Sequence, residues 1–193
     1  MATSARTPLL VGAIFALTAA ALTGCVWPST PSSTYTSLSS PTDSPTATVT
    51  PSPTPTAGTP AQPISIACST LVSPQTMYDF NPNFTLQAAY APKSGTFAYT
   101  AAADGGTACN WVNDTSGETL VVSVARPGSI EFASLKSSAA QGTPVSGYGD
   151  AAYFSSGRLD VFSGDYWLVT QSSQYSTAND ASAIAKSALA QLH

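Results

Sequence analysis

Few residues in this chain of 193 could carry out catalysis. The sequence holds three cysteines, one histidine and ten carboxylates. The histidine is His193, so a Ser/His/Asp hydrolase would lack its internal base and a zinc site would lack its usual nitrogen ligand. Paired carboxylates remain the only general acid–base option. Because most of them fall in predicted turns, we predict no catalytic residue, no metal site and no cofactor. The carboxylates considered are Asp79, Asp104, Asp114, Glu118, Asp150, Asp160 and Asp165.

Cys25 follows a segment typical of a signal peptide. Arg6 precedes an apolar run from Leu9 to Leu22, which is shorter than the roughly 20 residues that span a bilayer. Leu22-Thr23-Gly24-Cys25 resembles the bacterial lipobox, in which the cysteine is acylated and becomes the mature first residue. The alternative is an ordinary secretory peptide that leaves Cys25 as a free thiol. We expect lipidation of Cys25, which would attach the protein to the extracytoplasmic face of the cell membrane.

Lipidation of Cys25 would leave an even pair of cysteines, Cys68 and Cys109, in an oxidising compartment. We expect a disulfide between them, which would close a loop of about 42 residues and contribute on the order of 4 kcal/mol to stability. The alternatives are two free thiols or a two-cysteine metal site, and the latter lacks histidine partners.

Three segments follow from composition. Residues 1–24 form the predicted lipoprotein signal peptide, and residues 25–61 a linker that begins with the lipidated cysteine. Between Val26 and Pro60 the chain holds eight proline, eight serine and ten threonine residues, a composition typical of a disordered tether. Residues 62–193 form the predicted domain.

Removal of the signal peptide would also remove Arg6, which leaves five basic and ten acidic residues. Nucleic acid is therefore not an expected partner.

The predicted domain is of the α+β class, an antiparallel sheet of about five or six strands with helices packed on one face and one disulfide. Alternation places Leu120, Val122 and Val124 on one face of one predicted strand, and tight Ser/Gly/Asp turns join the last three strands into a meander. The predicted strands are 63–68, 95–101, 107–112, 118–126, 150–154, 158–162 and 166–172. The predicted helices are short turns from Ser73, a helix over 129–142, and a terminal helix with an apolar stripe of Ala181, Ile184, Ala185, Ala188, Leu189 and Leu192.

Three short motifs carry a family resemblance. Cys68, "CNW" at 109–111 and "VSGYGDAAYF" at 145–154 occur in an order that resembles small actinobacterial lipoproteins built on a domain of unknown function. More distantly, the layout resembles the extracellular sensor domains of mycobacterial receptor kinases. The resemblance implies the same α+β fold and carries over no reaction and no catalytic residue.

Gly147-x-Gly149-Asp150 has two interpretations: backbone amides and a carboxylate offered to a ligand, or a tight turn into a strand. We favour the turn, because glycine permits positive φ and aspartate caps turns. Trp111 is likewise expected to pack in the core beside the disulfide.

Aromatic residues between 78 and 99 are dense and follow no clear period. Exposed rings of this kind bind sugars or apolar ligands, whereas buried ones would cover an edge of the core. The function expected is therefore a non-enzymatic binding or sensor module, whose partner is cell-wall glycan, lipid or an envelope protein. The alternatives are a structural or accessory lipoprotein of an envelope complex and, third, a carboxylate-based enzyme. The candidate ligand-binding residues are Tyr78, Phe84, Tyr90, Phe97 and Tyr99.

Overall fold

The computed structural model describes residues 57–192. Cys25, the signal peptide 1–24 and the linker up to residue 56 lie outside this range, so the statements made about them stay predictions. Inside the range, no helix combines the length and the hydropathy needed to cross a membrane.

Short helices and short strands alternate irregularly along the described part of the chain. The helices are α1 (Cys68–Leu71), α2 (Pro74–Phe80), α3 (Phe97–Ala103), α4 (Ser129–Ala139) and α5 (Ser182–Leu189). The strands are β1 (Phe84–Leu86), β2 (Thr107–Asn113), β3 (Thr119–Ala125), β4 (Thr143–Val145), β5 (Ala151–Ser155), β6 (Arg158–Ser163) and β7 (Tyr166–Ser172).

The strands form one antiparallel sheet in the order β1-β2-β3-β7-β6-β5-β4. This confirms the α+β class and the meander of β5, β6 and β7, and it gives seven strands rather than five or six. The additional strands are β1 and β4, three-residue edge strands that are too short to show a period of two. Ser156 and Gly157 adopt positive φ of 50° and 74° in the β5–β6 turn, as a tight hairpin requires.

Helices cover both faces of the sheet, so the prediction of helices on one face was wrong. The face covered by α1, α2 and α5 is called the first face. It carries the main core, to which Leu168 and Ile184 belong. On the second face, covered by α3 and α4, Ala101 and Phe162 form a smaller core. The reason lies in the central strands: residues 167–170 of β7 are all buried, and successive side chains point to opposite faces. A strand that is apolar on both sides needs cover on both sides.

The disulfide between Cys68 and Cys109 is present, with the two Cα atoms 5.6 Å apart, as predicted. It fastens the first residue of α1 to the middle of β2. Trp111, two residues further along β2 on the same face, is buried, which confirms its place in the core. The bridge therefore holds α1 against the first face next to the main core.

Two predicted strands are not strands. Residues 97–103 form α3, because the Thr96 side chain accepts a hydrogen bond from the Tyr99 N–H (3.2 Å) and Ala98 and Ala101 lie buried against the sheet. Residues 63–67 belong to no strand, and Cys68 is the first residue of α1. Their contacts are single hydrogen bonds, such as the one from the Ile64 N–H to the Gly105 carbonyl (2.9 Å).

The predicted helix over 129–142 is α4, and the terminal helix is α5. The apolar stripe of α5 is confirmed, since its members are buried apart from half-buried Leu189. α5 packs against α1, α2 and β7, so it closes the first face.

Candidate functional site

An apolar depression lies at the β1 edge of the sheet, on the first face. Its volume is about 190 Å³. We call it the edge depression. The residues that line it come from α1, α2, β1, β2 and the loops between them: Ser69, Val72, Pro74, Met77, Tyr78, Pro82, Phe84, Leu86 and Trp111.

Helix α2 forms part of the rim of the edge depression, and its own sequence determines where the helix begins. Ser73 caps this helix by accepting a hydrogen bond from the Thr76 N–H (3.0 Å), and Pro74 occupies its first turn, where no backbone donor is needed. Helical geometry then turns Met77 inward, where it is buried, and leaves the neighbouring Tyr78 64% exposed. Leu86 on β1 is also exposed, at 36%. Two large apolar side chains thus stand in solvent beside one concave surface.

β1 is an edge strand with unpaired backbone groups. The Asp114 N–H donates to the Asn83 carbonyl, and the Gln87 N–H donates to the Asn110 carbonyl. In an antiparallel pair, hydrogen-bonded and non-hydrogen-bonded positions alternate, so Leu86, which lies opposite Trp111, directs its N–H and C=O away from β2. Within residues 57–192, no backbone hydrogen bond outside the strand ladders involves either group of Leu86.

The structure does not bring the five predicted aromatic residues together. Tyr78 and Phe84 both line the edge depression, but Phe84 is only 7% exposed and belongs to the core. Phe97 packs in the core of the second face, and Tyr99 on α3 is 46% exposed. Tyr90 is half-buried in the loop before α3, where desolvation raises the pKa of its phenol. Tyr78 is thus the one of the five that stands exposed beside the edge depression, whereas half-buried Phe97 lines a different cleft.

A second, more polar cleft lies between α3 and α4 on the second face, with a volume of about 160 Å³. We call it the helix cleft. Its floor holds three side chains in contact: the Arg158 Nε–H donates to Asp160 Oδ2 (2.8 Å), and the Trp167 Nε1–H donates to Asp160 Oδ1 (3.2 Å). The walls are built from Gly95, Thr96, Phe97, Thr100, Leu135, Ser138 and Ala139.

The two charges in the helix cleft differ in burial. The Asp160 side chain is 4% exposed, whereas that of Arg158 is 35% exposed. Desolvation raises the pKa of the Asp160 carboxyl, and the nearby Arg158 charge and the Trp167 hydrogen bond act against this shift. The two donors thus offset part of the desolvation of this carboxyl, and the guanidinium reaches from it toward solvent.

A wider, polar depression of about 530 Å³ lies where β3 begins and β7 ends. Glu118 stands nearby and accepts hydrogen bonds from Ser173 (2.9 Å) and Gln174 (2.9 Å), which lower its pKa. Because these neighbours already satisfy its oxygens, Glu118 is a structural carboxylate. The lining consists mainly of hydroxyl, amide and backbone groups: Thr119, Val121, Ser156, Gly157, Gln171, Ser172, Ser173 and Tyr175.

The Gly147-x-Gly149-Asp150 segment is a turn, as favoured from the sequence. Gly147 and Gly149 adopt φ of 88° and 51°, and Asp150 Oδ2 accepts a hydrogen bond from the Gly164 N–H (2.7 Å) in the β6–β7 turn. The carboxylate of Asp150 thus ties two turns together.

Arg158 was not among the residues predicted from the sequence to bind a ligand, and Asp160 was considered only as one carboxylate among several. The sequence does contain an indication: the two charges occupy alternate positions of a predicted strand whose other residues are apolar, so both point to the same face of the sheet.

Among residues 57–192, no group of three histidine, cysteine or carboxylate side chains is arranged to hold a metal ion. Comparison of the chain with family models, with curated proteins and with solved structures finds no match.

Proposed function

We propose that this protein is a lipid-anchored extracytoplasmic binding module that holds an extended segment of an envelope protein at strand β1. The observation that carries the proposal is the unpaired backbone of Leu86 directly beside the edge depression. An exposed strand edge is a template for pairing with another chain, and an adjacent pocket selects a side chain of that chain. Attachment to the membrane rests on the lipobox-like sequence that ends at Cys25.

The chemistry of the edge depression favours a peptide over a glycan. Its lining offers the Ser69 hydroxyl and the Tyr78 phenol but no charged or amide side chain, so it has few groups to orient sugar hydroxyls. Its volume of about 190 Å³ is below the roughly 300–1,000 Å³ of small-molecule pockets and suits one large apolar side chain.

The register of β1 brings backbone and side chain into one mode of binding. Phe84 and Leu86 project their side chains toward the first face, where the edge depression opens. A residue of the added strand that lies opposite Leu86 would place its own side chain on that same face. Backbone pairing would therefore give affinity, and the depression would select an apolar residue at that position.

The test uses synthetic hexapeptides in which threonine alternates with leucine or phenylalanine, titrated against the full-length protein in a non-ionic detergent. We expect saturable binding that is lost when the amides facing β1 are N-methylated, because these amides supply the strand pairing. N-methylation of the opposite amides is the matched control and should leave binding unchanged.

Leu86→Pro and Leu86→Ala separate backbone from side chain. Both remove the leucine, but only proline also removes the outward N–H, and an edge strand tolerates proline at a position whose N–H faces solvent. We expect Leu86→Pro to bind the peptides more weakly than Leu86→Ala, and Tyr99→Ala to bind like the wild type. Absence of peptide binding, or equal binding by the two N-methylated series, would contradict strand addition and favour the accessory-lipoprotein alternative.

A further inference from the structure

Arg158 is a charged side chain in the helix cleft whose guanidinium has N–H donors without a hydrogen-bond acceptor in the described part of the chain. Its Nε–H is committed to Asp160, and among residues 57–192 its two Nη nitrogens make no hydrogen bond. A guanidinium presents five N–H donors in a fixed plane, so four of them remain free at the floor of a cavity of about 160 Å³. An arginine held on one side and open on the other is suited to bind an anion.

Asp160 fixes the orientation of that guanidinium. The carboxylate is nearly buried on β6 and is held at its other oxygen by the indole of Trp167. Arg158 lies two residues before Asp160 and on the same face of the strand. A side chain that is already oriented loses less conformational entropy when it binds a ligand, so Asp160 and Trp167 preorganise the site.

The lining of the helix cleft contains few carboxylates. The chain carries a net charge of −4, yet Asp160 is the only carboxylate among the lining residues. Lys93 and Lys136 are close in sequence to lining residues, as are the carboxylates of Asp104, which follows α3, and of Glu131 on α4. Because the one carboxylate in the lining is paired with Arg158, the cleft itself presents no unpaired negative charge to an anion.

We propose that the helix cleft binds a carboxylate group with a short apolar substituent, which Arg158 holds through its Nη nitrogens. A planar carboxylate matches the guanidinium fork in a bidentate manner. Because Arg158 and Asp160 together are neutral, the site suits a monoanion better than a phosphate dianion. Phe97 and Leu135 in the walls provide the contact for the apolar substituent, and Thr100 and Ser138 contribute hydroxyl groups.

The experiment is a titration of the ¹⁵N-labelled full-length protein in a non-ionic detergent with acetate, propionate and butyrate, with propionamide and phosphate as comparison ligands. The reporters are the Arg158 Nε–H and Trp167 Nε1–H resonances. We expect saturable shifts of both with the carboxylates, tighter binding from acetate to butyrate, and no saturable shift with propionamide. Phosphate that binds more tightly than every carboxylate, or no saturable shift with any of the three, would overturn the proposal.

Variants locate the site. Arg158→Lys keeps the charge beside Asp160 but loses the planar fork, so the butyrate affinity should fall about tenfold or more, since hydrogen bonds to charged groups contribute roughly 1.5–3 kcal/mol. Arg126→Lys, at a surface arginine paired with Asp165, is the matched control and should bind butyrate like the wild type.

A second pair of variants keeps the test valid if Arg158→Lys fails to fold. Ser138→Trp fills the cleft from an exposed position on α4, whereas Ser137→Trp adds the same bulk at an exposed neighbour that does not line the cleft. We expect Ser138→Trp to abolish the butyrate shifts and Ser137→Trp to retain them. Equal binding by the two tryptophan variants would place butyrate outside the helix cleft and overturn the proposal.

Discussion

Cys109 connects local chain geometry to the stability of the whole domain. It is 1% exposed at the middle of β2, and its bond to Cys68 closes a loop with a sequence separation of 41 residues. A crosslink of that span lowers the conformational entropy of the unfolded chain and contributes about 4 kcal/mol. The disulfide therefore adds to the stability that the main core gives to a domain built from short elements.

Cys109→Ala should lower the free energy of unfolding by about 2–5 kcal/mol in urea denaturation under oxidising conditions. A Cys25→Ser background removes the third thiol, so the denatured but unreduced parent should then show no reactive thiol. Addition of a reductant should bring the parent close to the variant in stability. Two reactive thiols in the unreduced parent would contradict the bridge.

Phe84 and Tyr78 differ in burial although both line the edge depression. Phe84 packs against Phe80, with ring centroids 5.9 Å apart, so Phe84→Ala should cost about 3–5 kcal/mol of unfolding free energy. Tyr78→Ala should change it by less than about 0.5 kcal/mol, since Tyr78 is exposed. Chemical denaturation of the two variants side by side gives the comparison. Equal losses would mean that Tyr78 also belongs to the core.

The helices and strands that the sequence predicts correctly are those whose residues follow a local pattern. The β5–β7 meander was predictable because three short runs rich in aromatic and branched residues are separated by turns that carry Ser, Gly or Asp. α3 was not, because Thr96, Phe97, Tyr99 and Thr100 favour strands locally, and the helix is stabilised by burial of Ala98 and Ala101 against the sheet.

The candidate sites lay further from what the sequence could show. The edge depression combines α1, α2, β1 and β2, which are distant along the chain, so no local pattern reveals it. The helix cleft exists because α3 and α4 both lie on a face that the sequence was expected to leave without helices.

Gly106 joins α3 to β2 at a point where two backbones nearly touch. A Cβ at this position would lie 2.2 Å from the Val124 carbonyl oxygen and 2.7 Å from that of Ala101. Because neither backbone can move away easily, Gly106→Ala should lower the free energy of unfolding by more than about 3 kcal/mol. Gly117→Ala is the control: its Cβ meets nothing within 4 Å, and its φ of +75° costs only about 1–2 kcal/mol. An equal or larger loss for Gly117→Ala would contradict this packing.

Asp180 stabilises the turn that leads into α5, and this stabilisation depends on pH. Its carboxylate accepts hydrogen bonds from the backbone N–H groups of Thr177 (2.8 Å) and Ser176 (2.9 Å), which lower its pKa. A lowered folded-state pKa gives stability that is present above the unfolded value of about 3.9 and is lost as the pH falls through the lower folded value. The difference in melting temperature between wild type and Asp180→Asn should therefore be constant from pH 7 to about 5 and shrink below about 4. A difference that grows on acidification would contradict the role of the charge.

The edge depression and the helix cleft, the two candidate sites, open on opposite faces of the sheet. The edge depression lies on the first face, and the helix cleft lies between α3 and α4 on the second. The chain enters the domain beside α4, where the Thr59 N–H donates to Ser129 Oγ and the Ser129 N–H donates to the Thr59 carbonyl (both 3.0 Å). Thr59 thus contacts α4 on the second face, whereas the edge where we propose that a partner pairs opens on the first face.

The proposed place of the protein in the cell depends on Cys25. Cys25→Ser removes the sulfur that would carry the acyl chains, so the variant should be unacylated and should leave the membrane fraction, because each buried CH₂ contributes about 0.8 kcal/mol to membrane binding. Metabolic labelling with a palmitate analogue, followed by fractionation, measures both effects. The Cys68→Ser/Cys109→Ser double variant is the control and should keep its label, since those cysteines are bonded to each other in the folded domain. Equal label in the wild type and in Cys25→Ser would exclude acylation at Cys25 and, with it, the tethered binding module proposed above.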